Sequence, residues 1–225
     1  MIHPIRTALL TLSLSALFSP CFGGVAYDET VSGDSSTNFT SPTNISLNYG
    51  SNQILGSTGR VAGVVDRDYF TFTLSQYQRL ASITVLANTT GDGSGAQTAF
   101  ISIQSGNTGT NPATAQIPLA ASLLGYYLFG PADIGQDILD NMAASNSAFI
   151  AAQGFTAPLN HGTYTVWIQE TATPINYGFN LQVVPEPESL MLMGALVWQA
   201  WHSPSAKNHW SPLSDWGMAF SDLLA

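Results

Sequence analysis

Hydrophobic and polar residues alternate most regularly in Tyr69-Phe70-Thr71-Phe72-Thr73-Leu74, with Phe70, Phe72 and Leu74 on one side and Tyr69, Thr71 and Thr73 on the other. A period of two is the strand period, and one apolar side is what a half-buried antiparallel strand requires. The pattern returns in the stretch from Tyr177 to Val183, where Tyr177, Phe179, Leu181 and Val183 oppose Gly178, Asn180 and Gln182. Ser82 to Leu86, Ala99 to Gln104 and Tyr164 to Gln169 predict further strands, the first two separated by a turn-rich loop from Asn88 to Gly95. Nearer the start, Tyr27 to Gly63 is rich in Ser, Thr, Asn and Gly. There Ile45, Leu47 and Tyr49 alternate with polar residues, and Asn48 to Asn52 carries turn chemistry. Together these elements predict an all-β domain over 27–184, an antiparallel β-sandwich.

One stretch departs from the period of two. In 112–158, Ile134, Ile138 and Leu139 fall at helical spacing, and Asp133 stands where it could cap a helix running to Ala144. Ala148 to Gln153 has the composition for another turn of helix. The segment therefore reads as a helix-containing insertion with an exposed-looking Gly125-Tyr126-Tyr127-Leu128-Phe129-Gly130, either a decorated loop or a lid over one end of the sandwich.

Both ends carry targeting patterns. Arg6, the apolar run Ala8 to Phe18 and the small residues Gly23-Gly24-Val25-Ala26 form a secretory signal over 1–26. The run falls short of the roughly 20 apolar residues a spanning helix needs. Cleavage is expected after Ala26, with Gly23 and Gly24 as alternatives. At the other end, Val184-Pro185-Glu186-Pro187 precedes the apolar Leu190 to Val197. This order resembles the PEP-CTERM sorting signal, which implies export in a Gram-negative bacterium that makes exopolysaccharide, with an exosortase-type enzyme as processing partner. The resemblance covers 185–201 and departs in two respects. Leu190 to Trp201 is twelve residues and contains Gln199, so its short apolar helix would reach about 18 Å against a hydrocarbon core of about 30 Å. No Arg cluster follows, and Lys207 stands alone before a tail, 202–225, that is expected to be disordered and reads like the product of a frameshift. Only transient membrane contact is expected, with release to the periplasm or medium.

A second resemblance lies within the domain. Asp66-Arg67-Asp68-Tyr69-Phe70-Thr71-Phe72-Thr73-Leu74, followed by Leu80 and Ser82-Ile83-Thr84-Val85, is similar to bacterial pre-peptidase C-terminal domains, as are Gly162 to Ile168 and Tyr177 to Val183. It implies a small β-sandwich of jelly-roll type. The insertion is extra to that pattern.

Composition narrows the function. Only 8% of residues are charged, about a third of the usual share, and neutral polar groups carry the surface instead. A net charge of −9 argues against nucleic acid, which needs clustered Lys and Arg; the domain offers only Arg60, Arg67 and Arg79. The single cysteine, Cys21, precedes the domain, which excludes disulfides and thiolate metal sites from it. A Ser-His-acid hydrolase would have to use His161, in the turn Leu159-Asn160-His161-Gly162, and no Gly-x-Ser-x-Gly elbow is present. No catalytic residue is assigned.

Two candidate sites remain. Asp66 and Asp68 stand two apart at the head of the Tyr69 strand, so their side chains share a side. Hard oxygen donors in that arrangement suit Ca²⁺, with Asp34 or Asp92 joining through loops. Trp167 lies among Thr165 and Gln169, on the side away from Tyr164, Val166 and Ile168. An outward indole beside neutral polar groups is a candidate sugar contact, and a covered one packs. The sequence thus points to a non-catalytic protein of the cell surface or exopolysaccharide matrix, with a carbohydrate-binding module as the alternative.

Overall fold

The computed structural model describes residues 24–91, 99–110, 122–144 and 152–186. The apolar run Ala8 to Phe18, Asp92, Pro187 and the segment after it lie outside the described residues. Among those described, nine strands form one mostly antiparallel sheet, in the order β5-β9-β3-β4-β8-β6-β7 with β1 and β2 paired to its side, curled into a half-barrel. The strands are β1 (Gly24–Asp28), β2 (Thr43–Asn44), β3 (Gly50–Val61), β4 (Val64–Leu74), β5 (Gln78–Val85), β6 (Ala99–Ser105), β7 (Gly125–Phe129), β8 (Gly162–Gln169) and β9 (Ile175–Pro185). Two short helices accompany them, α1 (Glu29–Ser32) and α2 (Leu139–Ala143). Among the described residues no helix is long and apolar enough to cross a membrane.

The alternating segments form strands because the curl gives each an apolar side to bury. Phe70, Phe72 and Leu74 of β4 meet Phe179, Leu181 and Val183 of β9 in one core with Ile101, Ile103 and Phe129. Fully burying a side chain such as Phe72 or Phe179 contributes about 1.5–3 kcal/mol. Phe129 and Phe179 touch edge to face at 4.9 Å, joining β7 to β9 across the interior.

The longest strand is one the alternation does not announce. β3 spans Gly50–Val61 and pairs with β9, with β4 and, in parallel, with β1. Its composition, Gly-Ser-Asn-Gln-Ile-Leu-Gly-Ser-Thr-Gly-Arg-Val, has little apolar periodicity, because buried Asn52 and Thr58 stand on either side of Ile54. Of the turn expected at Asn48 to Asn52, Gly50 to Asn52 already belong to this strand. The Ile45–Tyr49 strand is replaced by the two-residue β2, after which Ile45 enters the core. A two-residue turn at Ala62-Gly63, both at positive φ, joins β3 to β4, the geometry that keeps paired strands twisting in step.

The 112–158 segment also differs from its reading. Gly125 to Phe129 is not a loop but β7, antiparallel to β6. Gly125 permits close packing there, since a β-carbon would press on the Met142 carbonyl. The helix is confined to Leu139–Ala143, and Asp133 does not cap it. The Asp133 carboxylate instead accepts from the Gly130 N–H at 2.9 Å and the Tyr127 hydroxyl at 3.0 Å. Residues 134–138 run along β5 through bridges at Thr84 and Val85, covering that sheet edge.

Candidate metal centre

The alternation of β4 continues through its acidic start, so Asp66 and Asp68 lie on the side of Phe70, Phe72 and Leu74. Asp68 therefore points into the end of the core and is 0% exposed. Among the described residues neither of its carboxylate oxygens has a hydrogen-bond partner. Such a group is costly, since an unpaired buried carboxylate gives up its hydration for nothing in return.

The chain before β2 brings two more carboxylates to it. Asp28 caps α1, its Oδ1 accepting from the Thr30 N–H at 2.9 Å and the Thr30 hydroxyl at 2.7 Å. That fixes Glu29 in the first turn. Gly33 then turns the chain at φ 91° and presents Asp34. Oxygens of Glu29, Asp34 and Asp68 lie within 4.8 Å of one another.

Glu29 is held from three elements. Its Oε1 accepts from the Tyr177 hydroxyl at 3.1 Å and from the Ser35 N–H at 3.2 Å, and its Oε2 accepts from the Ser57 N–H at 2.7 Å. Gly56 leaves the space for this meeting: a β-carbon there would stand 2.6 Å from Glu29 Cδ and closer still to the Tyr177 hydroxyl. Ser35 Oγ, buried nearby, is also without a partner. Tyr177 is fully buried, and burial with the negative charges of Asp68 and Glu29 raises its pKa well above the usual phenol value.

The electrostatics match the crowding. Burial first, then the charges of Glu29, Asp66 and Asp34, push the Asp68 carboxyl up to about 10, with Tyr177 opposing weakly. Asp66, nearer solvent, rises to about 6, from burial and then the charges of Asp34 and Glu29. Among the described residues no Lys, Arg or His pairs with any of these groups; the ion pair found there joins Arg79 to Glu186. Arg67 turns to the outer side, where its Nε donates to Gln169 Oε1 at 2.9 Å.

Three converging carboxylates that no Lys, Arg or His pairs with among the described residues, one of them buried, could together hold a hard divalent ion through oxygen donors. All-oxygen ligation with neither imidazole nor thiolate disfavours zinc. Of the residues read from the sequence, Asp68 lies at the centre, Asp34 joins it and Asp66 flanks the group. Glu29 was not foreseen: its one-turn helix has no periodicity, and it lies close behind the expected signal.

The other readings fall elsewhere. Trp167 points outward in register with Tyr69 and Ser102, as the alternation required, yet is only 5% exposed. Tyr69 stacks on it at 5.8 Å and Phe100 meets it edge-on at 5.0 Å, so protein rings occupy its faces and it packs. His161 is exposed in the turn before β8. Val184 and Pro185 belong to β9, and the Glu186 N–H donates to the Tyr77 carbonyl at 2.8 Å.

Comparison of the chain with protein-family models, with curated proteins and with solved structures found no match.

Proposed function

We propose that this chain is an exported, non-catalytic protein of the cell surface or exopolysaccharide matrix, with a jelly-roll-type β-sandwich that a calcium ion completes. The carrying observation is Asp68, wholly buried within β4 with two oxygens that have no partner among the described residues and lie near those of Glu29 and Asp34. Glu29 and Asp34 come from the first strand-helix unit, Asp68 from β4, and the partners of Glu29 from β3 and β9. An ion held there ties the start of the domain to three strands. Extracellular calcium modules bind with Kd values of about 10⁻⁴–10⁻³ M. Such a site fills after export and stays empty at the micromolar-or-lower calcium of a cell interior.

Export is supported by the Arg6 and Ala8 to Phe18 pattern, and the sorting reading by Val184-Pro185-Glu186-Pro187 at the end of the last strand. β1 refines the expected cut. Gly24, Val25 and Ala26 lie within it, Gly24 and Val25 pairing with Asn52 and Gln53. A cut after Ala26 would divide the strand, whereas a cut after Gly23 keeps all of its described residues.

Thermal melts of the secreted protein in chelator and in calcium test the reading. The melting temperature should climb with calcium and saturate, because the ion binds only the folded state. Coincident melts with and without calcium would end the proposal.

A further inference from the structure

Beside β2, on the outer side of the sheet, lies an open groove of about 690 Å³. Its floor is Thr71 and Thr73 of β4 with Thr163 of β8, and Ser41, Asn44 and Asn107 are among the residues around it. The volume is that of a small-ligand site. Among the described residues no charged side chain lines it.

The floor and the surround differ in what they leave available. Thr73 and Thr163 hydroxyls bond each other at 2.9 Å, and the Thr71 hydroxyl donates to the Tyr164 carbonyl at 2.9 Å. The floor is thus ordered, with acceptor lone pairs to spare. The side chains of Ser41, Asn44 and Asn107 have no hydrogen-bond partner among the described residues, and all three are exposed. They come from three places: the turn before β2, β2 itself and the turn after β6, where Gly106 adopts φ 97°. Two amides and a hydroxyl therefore converge on one groove, each able to donate and to accept.

We infer that this groove binds a segment of a neutral polysaccharide. Sugar hydroxyls donate and accept alike, which suits the same mixture of free amides and hydroxyls. The lack of charge gives uronate or phosphate groups nothing to pair with. An extended peptide is less well served. The floor is a sheet face whose backbone groups are paired between β4 and β8, and strand addition uses an edge rather than a face. Without an aromatic platform the contact is weak at each site and insensitive to salt. An open groove suits an internal stretch of chain, so many copies on one polymer add through avidity. The groove and the acidic cluster share no residue, and binding here does not require the cation.

The test uses the full secreted chain on an array of neutral glucan, mannan and galactan oligosaccharides, uronate oligosaccharides and extended peptides, at low and high salt. Retention on at least one neutral glycan is expected, unchanged by salt. The Asn44→Ala, Asn107→Ala double variant should lose it by about fivefold or more, given two deleted hydrogen bonds. Both positions are exposed, so the melting temperature should hold, and Ser46→Ala, outside the groove, should bind normally. Asn107→Arg offers a second probe that crowds the groove and introduces charge. Retention on no neutral glycan, equal binding by the double variant, or preference for the uronate or peptide probes would overturn the inference.

Discussion

Asp68 makes the metal-free protein's stability run opposite to the usual dependence on pH. Its carboxyl stands at about 10 in the fold and near 3.9 in the unfolded chain. Between those values the folded state keeps a proton that the unfolded state has lost, so stability in chelator falls as pH rises. The slope is about 1.4 kcal/mol per pH unit, or roughly 4 kcal/mol between pH 4 and pH 7. Asp66, raised to about 6, works in the same direction up to that pH. Asp68→Asn keeps the shape and remains neutral in both states, so it escapes the penalty. In chelator at pH 7 the variant should exceed the wild type by up to about 4 kcal/mol, or roughly 8–16 °C for a domain of this size. Calcium acts in the opposite sense and narrows that gap: at one hundred times Kd the wild type gains about 2.7 kcal/mol, which the variant cannot. Calcium should also flatten the wild-type slope, because the ion binds the deprotonated group. Urea melts across pH 4–8, with and without calcium, measure all of this. Wild-type stability that rises with pH in chelator would refute the argument, as would an equal calcium gain in Asp68→Asn.

Two further outcomes follow from neighbouring geometry. Gly56→Ala drives a methyl between Glu29 and Tyr177 and should cost about 1–3 kcal/mol while weakening calcium binding; a variant with wild-type calcium response would show that Glu29 is not a ligand. N-terminal sequencing of the secreted chain should begin at Gly24, keeping β1 whole. A start at Tyr27 would show that half the strand is dispensable, and an intact Met1 chain in the cytoplasm would remove the export reading.

The strands that were legible in the sequence are those with one apolar side and one largely polar side. β4 and β9 repeat that contrast over six or more residues, and the structure places each side where the alternation put it. β3 escaped notice because it is ordered by pairing on both sides, so polar Asn52 and Thr58 could be buried without a periodic signal. Asn52 shows how: its side-chain amide donates to the carbonyls of Asn48, Gly50 and Leu181. Asp66 and Asp68 were legible as a pair sharing a side, but the side was not. They continue the core side of β4, which is what strips Asp68 of water. Glu29 could not have been paired with Asp68, 39 positions away, from local spacing; the approach depends on β1 lying parallel to β3. The indole of Trp167 was correctly placed outward, but its covering by Tyr69 and Phe100 is a tertiary fact.

The end of β9 bears on where a sorting enzyme could act. The sheet does not stop before the Pro-Glu-Pro motif: Val184 pairs with Arg79 and Pro185 with Gln78. Proline is tolerated there because it ends a strand, where one missing N–H costs little. The next residue is still anchored, through the Glu186 N–H to Tyr77 and the Glu186 carboxylate to Arg79 Nε at 2.5 Å. A protease needs several residues in extended, unpaired form, so a cut inside Val184-Pro185-Glu186 requires this end of β9 to peel from β5. Peeling is opposed by the ion pair, which is partly exposed and so stabilises by at most about 1 kcal/mol. Arg79→Ala should therefore leave the melting temperature nearly unchanged while increasing limited proteolysis across residues 184–187 by up to about fivefold, the opening constant scaling with the lost stability. In a host with exosortase-type processing, mass spectrometry should find wild-type mature chains that retain Glu186. A mature C-terminus at Val184 or earlier, or proteolysis that ignores Arg79→Ala, would mean that the strand end opens freely and that its pairing places no constraint on processing.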